Sequence, residues 1–543
     1  MPGRHFEIQL GHLCNDRCLF CISGRRTAEG RAPLLAEDTV LASIRAGWEA
    51  GHRTLTLLGG EPTIQPVFLP AVREAVALGY EKIVIFSNGS KLGRTDLMDQ
   101  VLAMGGRFEW RFSVHGATEE AHENTTGRRG SFAQLMRSIA RAHARGQEIT
   151  TNTCVVIQNH ASLEHLPALL APFAIRHVHV DMIHPEDTGD ILRYHGDSVL
   201  RATLGGMVPR YRDIVGSLTH MVQNFPEGFP VSIGNLPYCV APHLAPWIHH
   251  AGEETYTVTV DDTEDHVLHA SHDKYRGKHT GSCKSPACST CVFDARCRGF
   301  FEDYRFLYGL DEMKPVTPAM LRAIDPGWQS FSHHAHALAT DATADWIPPS
   351  PFAPPVIDFA DERSLTLCFT QPFALPVRIA LRPDRQGVAA GSACGLHVLD
   401  APCTSEALLA LLRALWARFI AVGLHSDRPP GEDSVGLLSG PLASVLARLR
   451  ARAPFGALAW VALTVDPHGL RAELTLRGPA GEEATAWVGP KTRGPSTGYR
   501  VAPGTKASPA LVAGLRAFVS ALRSLPTVPA DRVTGAAQGG WPP

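Results

Sequence analysis

At 543 residues the chain is long enough for more than one domain, since single hydrophobic cores stop growing at roughly 250–300 residues. A hydrophobic content of 44%, a charged content of 19% and a formal net charge of -2 leave no basic footprint, which argues against a nucleic-acid partner. No apolar run reaches membrane-spanning length, and Met1-Pro2-Gly3-Arg4-His5 leads into an apolar strand without a signal core, so no membrane and a cytoplasmic location are expected.

The first strand is expected over 5–10. It leads into Gly11-His12-Leu13-Cys14-Asn15-Asp16-Arg17-Cys18-Leu19-Phe20-Cys21, whose cysteines are spaced C-x3-C-x2-C. Three soft thiolates in one short loop suit a cubane [4Fe-4S] cluster, with the fourth iron open to another ligand. Structural zinc prefers two pairs of ligands, and no second pair lies within finger distance of this loop. A helix opens at Ala36-Glu37-Asp38-Thr39 and closes near Gly51.

A strand over 53–58, a helix over 67–78 closed by Gly79, and a strand over 82–86 leading to Ser87-Asn88-Gly89 follow. Helix 95–104, strand 109–114, helix 131–145, strand 149–157, helix 163–171 and strand 176–182 complete six β-α repeats. The expected fold is α/β, an open, partial (βα)6 barrel with sites at the carboxyl ends of its strands. A further helical region spans 197–224, and the barrel domain is placed at 1–225.

Residues 226–315 read as a Cys-rich accessory segment with Cys283-x4-Cys288-x2-Cys291-x5-Cys297, preceded at a distance by Cys239. The simplest count is one auxiliary [4Fe-4S] cluster on Cys239, Cys288, Cys291 and Cys297, with Cys283 as a spare or as the fourth ligand instead of Cys239. Zinc on four of these thiolates is the alternative, since C-x2-C also suits zinc ribbons. The connecting segment 316–357 ends in the Pro-rich stretch 346–355, read as a semi-rigid linker.

Residues 358–527 form a separate α+β domain of unread role, with helices over 405–422, 441–451 and 509–525 and a hairpin of 457–465 with 470–476. Its Cys368, Cys394 and Cys403 lack ligand spacing and are expected as buried thiols. The tail 528–543 is expected to be disordered. The histidines of Trp247-Ile248-His249-His250 and Ser332-His333-His334-Ala335-His336 are expected at the surface.

The cysteine loop after a first strand, followed by Leu57-Leu58-Gly59-Gly60-Glu61-Pro62 at the end of the second, resembles the radical S-adenosylmethionine (SAM) superfamily. The resemblance covers about the first third of the chain and implies that Cys14, Cys18 and Cys21 hold three irons while the fourth chelates SAM. It implies reductive cleavage of SAM to a 5′-deoxyadenosyl radical, fed by an external electron donor such as flavodoxin or ferredoxin. In that family the aromatic residue at Phe20 packs near the adenine, and the Gly59-Gly60-Glu61 turn binds the methionine ammonium, with Glu61 as its carboxylate partner.

By the same resemblance Ser87, Asn88, Ser113, His115 and Asn152, all at strand ends, would hydrogen-bond the SAM ribose or carboxylate. Turn and capping roles are the alternative, and His115 could instead face substrate with a near-neutral pKa. The second cysteine group resembles SPASM or twitch accessory segments in part, since Phe301 stands where the full SPASM pattern has a further cysteine. The expected substrate is a peptide or small molecule. An RNA-modifying radical enzyme and a non-catalytic iron-sulfur protein for electron transfer or sensing are the competing readings.

Overall fold

The computed structural model describes residues 5–183, 197–250, 255–258, 272–273, 281–361, 364–372, 374–383, 394–400, 403, 405–423, 458–465, 472–489, 496–501 and 508–523. Two compact units divide it, Met1–Val316 and Thr317–Pro543.

In the first unit β1 (His5–Gln9), β2 (Thr54–Leu58), β3 (Lys82–Ser87), β4 (Phe108–Ser113), β5 (Glu148–Val155) and β6 (Ile175–Met182) lie side by side in chain order, each parallel to the next. Strands β7 (Val231–Gly234) and β8 (Ile248–His249) continue the parallel sheet beyond β6. At the other edge β9 (Thr255–Val258) runs parallel to β1, and β10 (His272–Asp273) pairs antiparallel with β9. The six expected repeats are present in an open sheet whose edges are β8 and β10. Strands β7 to β10 are additions that the sequence reading placed in an irregular accessory segment; at two to four residues they are too short for an alternation to show.

Strands β1 and β6 alternate in burial, which marks two faces, whereas β2, β3 and β4 each carry a run of three buried residues. On β6, Val178, Val180 and Met182 are fully buried, while His177, His179 and Asp181 stand half-buried on the opposite face. Helices Glu37–Glu49, Phe68–Leu78 and Ser131–Ala144 cover the apolar face with Val40, Ile44, Val72, Leu135 and Ile139. Burying each such side chain contributes about 1.5–3 kcal/mol. Contact between layers is close: a Cβ on Gly47 would lie 2.6 Å from the Phe6 ring.

Two helices between the strands of the parallel sheet went unread in the sequence. One, Ile22–Ala28, starts directly after Cys21; the other, Glu119–Thr126, is polar and is capped by Thr118, whose hydroxyl accepts from the Ala121 N–H at 3.2 Å. The region read as helical at 197–224 is two helices, Asp197–Gly205 and Tyr211–Asn224. In the cysteine-rich segment β11 (Ser282–Cys283) pairs antiparallel with β12 (Phe300–Phe301), followed by helix Glu302–Tyr308. Tyr304 stacks on Tyr211 with ring centroids 3.9 Å apart, which fastens this segment to helix Tyr211–Asn224.

The second unit begins earlier than the Pro-rich stretch. Helices Pro318–Ile324 and Phe331–Thr343 precede an antiparallel sheet of β13 (Val356–Asp361), β14 (Ser364–Gln371), β15 (Ala374–Pro383) and β16 (Cys394–Asp400). Helix Ser405–Ala421, a second antiparallel sheet of β17 (Ala459–Val465), β18 (Ala472–Arg477), β19 (Glu483–Gly489) and β20 (Ser496–Val501), and helix Pro509–Arg523 complete it. One core takes in Phe331, Phe352, Phe369, Phe419, Leu474 and Phe518. Phe352 belongs to the stretch read as a linker, and Trp346 packs edge-on against Phe369 at 6.0 Å; apolar side chains draw this segment onto the core.

The histidines expected at the surface are largely buried. His250, His333 and His334 are all under 10% exposed, and His334 Nε2 lies 3.1 Å from Asp325 Oδ2. Cys368 is half-buried, and burial pushes the half-buried Cys403 thiol up to about 11. The helix expected over 441–451, the turn 466–469, the tail 528–543 and the Cys394 side chain lie outside the described residues. Among the described residues no helix is long and apolar enough to cross a membrane.

Candidate active site

The cysteine loop leaves β1 at the carboxyl end of the sheet and is clamped from two sides. On one side the turn after β2 bonds to it: the Gly60 N–H donates to the Gly11 carbonyl at 2.8 Å and the Glu61 N–H to Leu13 at 2.9 Å. A Cβ on Gly60 would lie 2.3 Å from Leu13 O and 2.5 Å from His12 O, and Gly59 sits at φ +135°. The two glycines therefore let the turn approach the backbone of the cysteine loop, a role that sequence reasoning gave to ligand approach alone.

On the other side, Arg17 N donates to Thr126 O at 2.8 Å and Leu19 N to Thr125 O at 3.1 Å. Arg128 closes an ion pair with the buried Asp16. The helix after Cys21 adds a third hold: Cys14 N donates to Thr27 Oγ1 at 3.0 Å, and His12 bonds Ser23 Oγ at 2.9 Å and accepts from Arg26 Nη1 at 3.1 Å.

Glu61 is 1% exposed. Its carboxylate accepts from Thr63 N at 3.1 Å, the Thr63 hydroxyl, Ser87 Oγ at 2.8 Å and Asn88 N at 2.7 Å. It ties the turn to the end of β3, while burial pushes its carboxyl up against these donors. Asn88 Nδ2 in turn donates to Asn15 Oδ1 at 2.9 Å, so the end of β3 also reaches the cysteine loop. The Ser87 hydroxyl and the Asn88 N–H, read as SAM contacts, thus serve Glu61.

Ser113, the last residue of β4, is the register partner of Asn152 within β5. His115 lies edge-on to Phe20 at 5.1 Å, accepts from Cys154 N at Nδ1 (3.3 Å) and stacks on His122 at 6.3 Å. Burial pushes His115 down to about 4, which corrects the near-neutral pKa expected of it: the ring is a neutral packing and hydrogen-bonding partner of the aromatic residue before Cys21. Cys154, a lone cysteine that spacing could not single out, lies close enough to contribute to the field at Cys18.

Burial, then the neighbouring Glu61 carboxylate, pushes the Cys14 thiol up; burial and the other thiols do the same at Cys18. Asp16 N donates to Cys14 Sγ at 3.4 Å. Such a donor set suits an iron cluster, whose positive irons would replace the thiol protons and stabilise the thiolates.

The structure brings four thiols of the second cysteine group together. Cys239, Cys288, Cys291 and Cys297 line one concavity of about 320 Å³, with Lys284, Asp294 and Met313; Cys283 is not among its lining residues. Backbone donors reach the sulfurs, with Val316 N 3.3 Å from Cys291 Sγ and Gly299 N 3.3 Å from Cys297 Sγ. Burial, followed by the charges of the neighbouring thiols, pushes Cys239 up to about 12, with the Lys314 N–H opposing. Among the described residues no three His, Cys, Asp or Glu side chains are gathered tightly enough for a single metal ion.

The Radical SAM superfamily model matches residues 8–170. A probable GTP 3′,8-cyclase of Saccharolobus solfataricus is 27% identical over 199 residues, 36% of this chain and 62% of that protein. The protein of the same name from Sulfurisphaera tokodaii is 24% identical over 199 residues, 36% of this chain and 61% of that one. The chain thus spans about three-fifths of the length of these curated relatives. Among solved structures, Streptococcus suis SuiB bound to S-adenosylmethionine aligns at 12% identity and a TM-score of 0.40, over 55% of this chain and 73% of that one. Native anSMEcpe with bound AdoMet aligns at 13% and 0.41, over 59% and 96%. That family works with a [4Fe-4S] cluster and SAM. The three-cysteine loop and the Gly-Gly-Glu turn both lie inside the span, residues 8–170, that matches the Radical SAM superfamily model, so this part of the chain carries a radical SAM domain.

Proposed function

We propose that this enzyme cleaves SAM reductively and removes a hydrogen atom from a peptide or small-molecule substrate, with an auxiliary [4Fe-4S] cluster on Cys239, Cys288, Cys291 and Cys297. The observation that carries the reading is the double clamping of the Cys14–Cys18–Cys21 loop by the Gly-Gly-Glu turn and the 125–128 turn. When bound, the N-terminal cluster and SAM supply a 5′-deoxyadenosyl radical.

The chain's own residues do the rest. Cys14, Cys18 and Cys21 would hold three irons and leave one for the methionine end of SAM. Phe20, with His115 against its ring, would flank the adenine, and the Gly59-Gly60-Glu61 turn, held rigid through Glu61, would present its backbone to the ammonium. Ser113, at the end of β4, and its register partner Asn152 on β5 remain as polar groups for the ribose or carboxylate. At the second group, the four cysteines around one concavity would hold the auxiliary cluster. An external electron donor such as a flavodoxin or ferredoxin and a cytoplasmic location complete the proposal.

Iron and zinc content, with 5′-deoxyadenosine release after anaerobic reduction, test it. Iron-loaded protein that cleaves SAM supports the reading; protein that binds zinc alone and leaves SAM intact overturns it. A nucleotide substrate is the second reading, favoured by the relatives named probable GTP 3′,8-cyclases. Saturable binding of GTP to the reconstituted enzyme would move the substrate class in that direction.

A further inference from the structure

The polar face of β6 carries groups that the radical-generating site does not use. His177, His179 and Asp181 alternate along it, and the adjoining β7 and β8 bring in Ser232, Gly234 and His249. His179 Nδ1 lies 2.8 Å from Ser232 Oγ, and the same hydroxyl lies 2.9 Å from His177 Nε2. Asp181 Oδ2 stands 3.9 Å from His179 Nε2, and Asp181 Oδ1 accepts from Asn235 Nδ2 at 2.6 Å. The His249 ring lies 5.3 Å from that of His179.

The arrangement depends on two backbone features. A Cβ on Gly234 would lie 2.6 Å from Asp181 Oδ1 and 3.1 Å from His179 Cε1, so only glycine leaves the carboxylate its place. Asn235 follows at φ +61°, a left-handed conformation that asparagine tolerates and that precedes its bond to Asp181.

We propose that His179, Ser232 and His177 form a proton relay on the inner face of the sheet, with Asp181 orienting His179 at the carboxyl end, where the substrate would sit. The proposal rests on the radical SAM reading and narrows its substrate to one with an O–H or N–H next to the carbon that loses hydrogen. The X–H bond breaks with its electron pair staying on the substrate, and His179 Nε2 takes the proton. His179 Nδ1–H passes a proton to Ser232 Oγ, the hydroxyl proton moves to His177 Nε2, and the half-buried His177 gives up its Nδ1 proton to bulk water. No electron moves in these steps. Burial, then His179 and Arg111, push His177 down to about 4 against Glu109, so a proton arriving there is passed on rather than held. The titratable groups facing the relay are His177 and Asp181 on β6, His249 on β8, and Glu109 and Arg111 on β4.

The test uses the iron-loaded full chain, with modification of each histidine by diethyl pyrocarbonate and deuterium exchange at each Cε1–H followed by mass spectrometry. His179 should react with the reagent. Ser232→Ala should change the rates at both His177 and His179 by about threefold or more, Ser232→Thr should restore them, and His12 on the cysteine loop should not respond. Asp181→Asn, which keeps the side-chain volume, should change His179 more than His177. An inert His179 in the wild type, or unchanged rates in a folded Ser232→Ala protein, would overturn the relay. 5′-Deoxyadenosine release from SAM by the same wild-type preparation is scored separately, so failure of the radical reading is distinguishable from failure of the relay.

Discussion

The two cysteine groups of the first unit are built in different ways. Cys14, Cys18 and Cys21 lie on one short loop whose backbone is pinned by two turns and a following helix. Cys239, Cys288, Cys291 and Cys297 come from two distant stretches, and N–H groups from Val316 and Gly299 approach their sulfurs. Three ligands on a rigid loop leave a coordination position for a reactant; four ligands close the coordination shell and suit electron transfer. On the proposed reading the same residue type would serve two purposes, according to how many sulfurs converge and what holds them.

The largest effect that would break this contrast is at the loop. Cys18→Ala should abolish SAM cleavage and remove about four irons while the second group keeps its own, as metal analysis and 5′-deoxyadenosine assays will show. Next, Cys239→Ser should remove about four irons from the second group and leave SAM cleavage measurable, whereas Cys283→Ser should leave the iron content unchanged. If Cys283→Ser is the variant that loses iron, the ligand assignment is wrong.

Gly60→Ala probes the clamp itself. The new methyl would meet Leu13 O and His12 O, so about 1–3 kcal/mol of stability should be lost in thermal melts and SAM cleavage should fall about tenfold or more, with the second cluster's spectrum intact. An active Gly60→Ala enzyme would show that the clamp does not set the loop.

A smaller effect is expected at Glu109, on β4. Burial alone would raise its carboxyl, but Arg111, Lys82 and Thr150 hold it down at about 2. A depressed folded-state pKa gives stability that is present above the ordinary value near 4.5 and lost as pH falls toward about 2. Denaturant titrations should therefore show a shallower acid loss in Glu109→Gln over that window.

Much of the barrel was legible because its strands are apolar runs between capped helices, as in helix Phe68–Leu78 closed by Gly79 at φ +87°. Helices Ile22–Ala28 and Glu119–Thr126 were not, being seven and eight residues long with little apolar periodicity. The cysteine motif and Gly-Gly-Glu stood out by spacing, but the partners of Glu61 lie up to 27 residues away, at Ser87 and Asn88, and only folding brings them together. The polar alternation of His177, His179 and Asp181 was visible in the sequence, yet its meaning depended on Ser232, more than 50 residues on. The boundary between the units was obscured by prolines, whose neighbour Phe352 is a core residue.

The most direct measurement is 5′-deoxyadenosine formed from SAM by anaerobically reduced, iron-loaded enzyme, beside metal content per chain. About eight irons per chain and steady formation of 5′-deoxyadenosine that is lost in Cys18→Ala are expected. Zinc in place of iron with SAM recovered unchanged, or equal 5′-deoxyadenosine from the Cys18→Ala protein, would contradict it.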